Sequence, residues 1–124
     1  MNLKITSTEK EGYLLIKVTG DVVTDEDLLT HSHLLYTEAK KYNHTNLLLE
    51  QTGAHFPKKI FSYLELVKHY QVDFPDDITG LKVASVVLPE YKELGNFWET
   101  ASINRGFQFY IFTSVEEAEN FLLK

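Results

Sequence analysis

His55 follows Glu50 closely in the chain, with Thr52 between them, and this stretch holds the residue types best suited to moving a proton. A carboxylate that holds an imidazole makes a general base. No motif places a serine or cysteine nucleophile beside the pair, so the competing reading is a loop histidine that caps backbone groups. Thr52 suggests a second chemistry. A phosphate added there would sit near the start of a helix predicted from Pro57, where free N–H groups and Lys58 and Lys59 would stabilise it. Otherwise Thr52 is an ordinary polar turn residue. Ser62 is the other phosphorylation candidate, but it shares a predicted helical face with Glu65 and His69 and so reads as solvated surface.

Other chemistries find little support. His31 and His33 are two residues apart on a predicted helix, so they point about 160–200° from each other and cannot share a metal ion. The remaining histidines lack the H-x-x-x-H spacing of a helical metal site, and the absence of cysteine excludes thiolate sites and disulfides. The six glycines form neither a G-x-G-x-x-G nor a Walker pattern, and no cofactor is expected. The cluster Phe107, Phe109, Tyr110 and Phe112 has only Arg105 for basic company, so it reads as strand core rather than a base-stacking platform.

The elements that position these residues follow from periodicity. Leu3–Ser7 and Tyr13–Val18 read as a β-hairpin across a polar turn ending at Gly12. Thr24 with Asp25, Glu26 and Asp27 opens a helix over Asp25–Tyr42 with the stripe Leu28, Leu35, Ala39 and Tyr42. Leu47–Glu50 is a short buried strand, and Ile60, Tyr63, Leu64 and Val67 mark a second helix. Leu81–Leu88 is a strand, Pro89 starts a third helix with Tyr91, Leu94, Trp98 and Ala101 inward, and Gly106 stops it. Phe107–Phe112 is the last strand, and Ser114 with Glu117 caps a closing helix with Val115, Ala118, Phe121 and Leu122 inward.

This gives ββαβαβαβα, an α/β fold with a mostly parallel sheet and the helices mainly on one face. Leu14, Ile16 and Val18 alternate with Tyr13, Leu15, Lys17 and Thr19, one face greasier than the other, so the second face is expected to meet a partner or a second copy. Ligands of open parallel sheets bind beyond the carboxyl ends of strands, which puts Asp21, Glu50, Thr52, His55 and Pro89 on the expected rim. Phe56, Phe61 and Phe74 near that rim read as core.

The bulk numbers set the outer limits. The 124 residues, 44% hydrophobic and 13% aromatic, suit one domain over 1–124. With 18 acidic and 12 basic residues the formal charge is −6 without basic blocks, so nucleic acid is not an expected partner. No apolar run approaches the roughly 20 residues of a membrane span, and the N-terminus does not resemble a signal peptide, so the expected location is the cytoplasm.

Three stretches resemble the STAS family, the anti-sigma-factor antagonist fold, and within it the SpoIIAA-like (STAS/SEC14) bacterial proteins. They are Leu14–Val22, a strand ending at Gly20 before a helix; the strand Leu81–Leu88; and the closing strand and helix Phe109–Leu122. The resemblance implies a regulatory, protein-binding module, with a small-ligand or lipid-binding domain as the alternative; a homodimer is expected from the second sheet face and the aromatic richness of the chain. In the family's regulatory members a partner kinase phosphorylates a hydroxyl in an Asp-Ser-Ser-Gly-like segment after the third strand. Glu50–Lys59 lacks that motif and offers Thr52 alone. No catalytic residue is implied.

Overall fold

The computed structural model describes residues 2–74 and 76–124, and at residues 60, 61, 71, 73, 76 and 77 the backbone only. The strands are β1 (Lys4–Lys10), β2 (Tyr13–Asp21), β3 (Asn46–His55), β4 (Lys82–Val86) and β5 (Gln108–Phe112). The helices are α1 (Asp25–Tyr42), α2 (Ile60–Asp73), α3 (Lys92–Ile103) and α4 (Val115–Leu123). The order ββαβαβαβα is the one that periodicity predicts.

The sheet order is β1-β2-β3-β4-β5, with β1 antiparallel to β2 and every later pairing parallel. Since each parallel strand lies beside its predecessor, crossovers of one hand must put their helices on one face. That face holds Leu14, Ile16, Val18, Leu47 and Leu49 under Leu28 and Leu35 of α1, Tyr63 and Val67 of α2, and Trp98 of α3. Full burial of each such side chain contributes about 1.5–3 kcal/mol.

α4 crosses to no further strand among these elements and packs on the opposite face. Ala118 and Leu122 sit with Leu48, Ala84 and Val86, and Phe121 tilts against Tyr110 and Phe112 at 4.7 and 5.4 Å. The Tyr13 hydroxyl donates to Glu119 at 2.5 Å and anchors the helix to β2. The second face expected to meet a partner is thus covered by α4 where β3, β4 and β5 run. Val115, expected inward, is 44% exposed.

Three local expectations change. β3 runs to His55 rather than stopping at Glu50, so Glu50, Thr52 and His55 stand on a strand. α2 begins at Ile60 with Lys59 as its N-cap, which leaves Pro57 outside the first turn. Ser62, expected on a solvated face, is buried at 3% exposure because α2 lies between α1 and α3 and both its flanks are covered. The side chains of Ile60 and Phe61 lie outside the described residues.

α1 forms where capping residues and apolar stripe agree. The Thr24 hydroxyl accepts from the Asp27 N–H at 3.0 Å, and the Asp27 carboxylate accepts from the Thr24 N–H at 3.2 Å. These backbone donors, those of Thr24 and Val23 chief among them, hold the Asp27 pKa below its ordinary value. At the far end Asn43 adopts the left-handed conformation with φ 57° and closes the helix. Thr24→Ala removes one arm of this cap and should lower stability by about 1 kcal/mol, read as a shift in urea midpoint with unchanged slope.

Candidate functional site

The carboxyl ends of β2 and β3 bring the sequence's rim residues into two exposed pairs. Asp21 and His55 are register partners, and His55 Nδ1 meets Asp21 Oδ1 at 3.0 Å. Glu50, expected to hold His55, instead accepts from the Thr52 N–H at 2.9 Å and from the Thr52 hydroxyl. The acid–base arrangement inferred from Glu50 and His55 is therefore replaced by an Asp21–His55 contact, with both side chains more than half exposed.

Thr52 is exposed, but it stands on β3 rather than at the start of α2. A phosphate there would meet the Glu50 carboxylate, a like-charge contact, instead of helix N–H groups. Lys58 lies within 3.8 Å of Glu90 and over the Tyr91 ring. Ser62 is closed off from solvent.

Behind the rim runs a buried polar chain that the sequence did not advertise. His31 Nε2 meets Gln51 Oε1 at 2.6 Å, and Gln51 Nε2 donates to Ser85 Oγ at 2.7 Å. All three residues are fully buried. With the Gln51 amide nitrogen turned to Ser85, its carbonyl faces the imidazole, so Nε2 carries the histidine proton and Nδ1 is left as an acceptor. Burial pushes the His31 pKa down to about 4, opposed by the Gln51 hydrogen bond, and the ring is neutral at pH 7.

Gln51 reaches this position through a break in register. Between the pairs Lys17–Glu50 and Thr19–Gly53, β3 carries one residue more than β2. The extra residue lets Gln51 and Ala54 both turn toward the helical face, which strict alternation would forbid.

The main cavity lies at the opposite end of the sheet from the expected rim. It has a volume of about 80 Å³ and is lined by the early residues Leu47, Val83 and Phe109 of three strands together with His31, Tyr70 and Trp98. A smaller space of about 10 Å³ lies against Phe56, Tyr63 and Tyr91, room for about one water at most. Phe56 and Phe74 are both core, as their sequence context implied. Among the described residues no group of three histidine, cysteine or carboxylate side chains is arranged to hold a metal ion. Nor is any described helix long and apolar enough to cross a membrane.

Two solved structures share this architecture. An anti-sigma factor antagonist from Mycobacterium paratuberculosis superposes with a TM-score of 0.60 at 9% identity, covering 99% of this chain and 96% of its own. An uncharacterized protein from the DUF3478 family with a SpoIIAA-like fold, from Shewanella loihica PV-4, gives 0.52 at 20% identity, covering 97% of this chain and 93% of its own. The fold is SpoIIAA-like. The sequence itself matches no family model and no curated protein.

That contrast places the likeness in the backbone arrangement. In this SpoIIAA-like fold the Asp21–His55 pair marks the end of β2 and β3, and the His31–Gln51–Ser85 chain ties α1 across β3 to β4. A signal for His31 was present: it falls three residues after Leu28 and four before Leu35, on the apolar stripe of α1. A histidine in that register is a buried histidine.

Proposed function

We propose that residues 1–124 act as a single STAS-like unit in the cytoplasm, a non-catalytic module that regulates another protein by binding it. The observation that carries this reading is the likeness, over 99% of the chain, to a structure described as an anti-sigma factor antagonist. The exposed rim of Asp21, Glu50, Thr52 and His55 is the surface proposed to meet the partner. Asp21 and His55 close β2 and β3, and Glu50 and Thr52 stand earlier on β3, so the surface is held on strands without an ordering cost. The reading needs no cofactor and no nucleic acid. A homodimer enters it only through a surface other than the α4-covered part of the sheet.

The test is a tagged pull-down from the native cell, comparing the unaltered chain with the double variant Asp21→Arg, His55→Glu. The expected result is a protein recovered stoichiometrically by the first and lost, by about tenfold or more in affinity, with the second. Both baits should melt at the same temperature, since the altered pair is exposed. Equal recovery by the two would remove the rim from the proposal. Repeated failure to recover any stoichiometric partner would remove the interaction role itself.

A further inference from the structure

The second face of the sheet is only partly covered. α4 packs where β3, β4 and β5 run and touches β2 near its first residues, Tyr13 and Leu15. Beyond these the same face of the β1–β2 hairpin is open. Its register sets Lys4 beside Thr19, Thr6 beside Lys17 and Lys10 beside Tyr13, and Lys4, Thr6, Thr8, Lys10 and Lys17 are all exposed. A strip two strands wide spans about 10 Å, the diameter of one α-helix.

The strip is basic in a chain whose formal charge is −6. On the edge strand β1, Lys4 and Lys10 would be explained as guards against stray strand pairing. Lys17 stands on the inner strand β2, where that reason does not apply. None of the three makes an ion pair among the described residues, and Glu50, beside Lys17 on β3, is engaged by Thr52.

α4 presents the opposite surface. Ala118 and Leu122 are its buried side, while Glu116, Glu117, Asn120 and Leu123 are exposed. Glu116 and Glu117 also make no ion pair among the described residues. Val115 and Leu123, 44% and 53% exposed, are two of the six large apolar side chains that the described fold leaves in solvent. Exposed apolar groups framed by charge mark a contact surface.

These two surfaces lie side by side on one face of the molecule. A twofold axis running between them, along α4, turns one protomer over onto its partner and sets α4 of each on the strip of the other. Each helix then lies between its own β3–β5 and the partner's hairpin, the same contact made twice, as a twofold dimer requires. α4 starts after the carboxyl end of β5 and closes with Leu123 against Gly12, at the turn of the hairpin. The axis preserves that direction, so Glu116 and Glu117 arrive at the Lys4 and Lys17 end of the strip and Leu123 at its turn end.

We propose that the chain forms a twofold homodimer in which α4 of each protomer docks on the β1–β2 strip of the other, with Glu116 and Glu117 facing Lys4 and Lys17. The contact uses none of Asp21, Glu50, Thr52 and His55, so it stands apart from the role proposed for the rim.

Sedimentation equilibrium of the unaltered chain at about 0.1 mM should give twice the chain mass. A strip variant, Lys4→Glu with Lys17→Glu, and a helix variant, Glu116→Lys with Glu117→Lys, should each weaken the dimer by about tenfold or more, since every reversal acts at both contacts. Mixing the two decides between contact and local damage. In the mixed dimer one contact keeps its native charges and the other has both signs exchanged, so the mixture should regain the dimer that neither variant forms alone. A monomer at every concentration would overturn the proposal and leave the rim reading untouched. A dimer indifferent to both variants, or a mixture no more associated than its components, would overturn it too. Should the helix variant not fold, the strip variant against the unaltered chain decides, and an undiminished dimer would again overturn it.

Discussion

Trp98→Ala should lower the stability of the chain by about 3–5 kcal/mol, the largest loss expected from any single aromatic substitution here. The ring is the meeting point of three helices and the sheet. It stacks on Phe109 of β5 at 4.9 Å, tilts against Tyr63 of α2 at 5.0 Å and meets Phe56 edge-on at 6.3 Å. Removing it opens a void next to an existing cavity, and the rigid strands on one side cannot collapse into it. For a chain of this size the melting temperature should fall by roughly 10–20 °C. Trp98→Phe keeps the contact with Phe109 and should recover much of the loss. A shift of only a degree or two in Trp98→Ala would show that the core is not centred where the ring contacts place it.

The second large effect is on acid stability. His31 is neutral and buried in the native state, with its pKa lowered to about 4 from an ordinary 6.5. Between those values the unfolded chain takes up a proton at this position and the native chain does not, so protons favour unfolding. The contribution of His31 is therefore fully present above pH 6.5 and is lost as pH falls toward 4. It amounts to about 3 kcal/mol, with a limiting slope near 1.4 kcal/mol per pH unit. The immediate neighbours Gln51, Ser85, Phe56 and Trp98 do not titrate in this range, which leaves the imidazole as the responding group. Urea titrations at pH 7, 6 and 5 should show this decline. A folded His31→Phe variant should show it flattened over pH 6.5–5, above the range where most carboxylates protonate. Parallel curves for the two proteins would exclude His31 as the source.

Much of the architecture was legible because local and global signals coincide. α1 carries a cap, first-turn acids and an apolar stripe that all name the same boundaries, and its observed span equals the expected one. The alternation of Leu14, Ile16 and Val18 correctly assigned the helical face. What escaped were features whose reason lies in another element. Gln51, Thr52 and Gly53 read as the end of a strand because polar residues and glycine interrupt the pattern. β3 continues through them since Gln51 is satisfied by His31 and Ser85, both distant in sequence. The extra residue then shifts the alternation so that Ala54 is buried out of phase with Leu49. Ser62 misled for a similar reason, as a helix covered on both flanks buries positions that a single stripe would leave wet.

The sequence placed Asp21 and His55 near the carboxyl ends of strands, where they stand, but named the wrong partner for the histidine. It gave no account of the cavity, whose wall is drawn from α1, α2, α3 and the beginnings of three strands. Most contributors are core residues, unremarkable where they stand in the chain.

The unbroken strand sequence across the sheet also bears on how the chain comes together. Each new strand has its docking edge on the segment synthesised just before it, so pairing can advance in one direction without waiting for distant residues. A nascent chain can thus add one strand-and-helix unit at a time to a growing edge, and at no stage must an established pair be opened to admit a later strand.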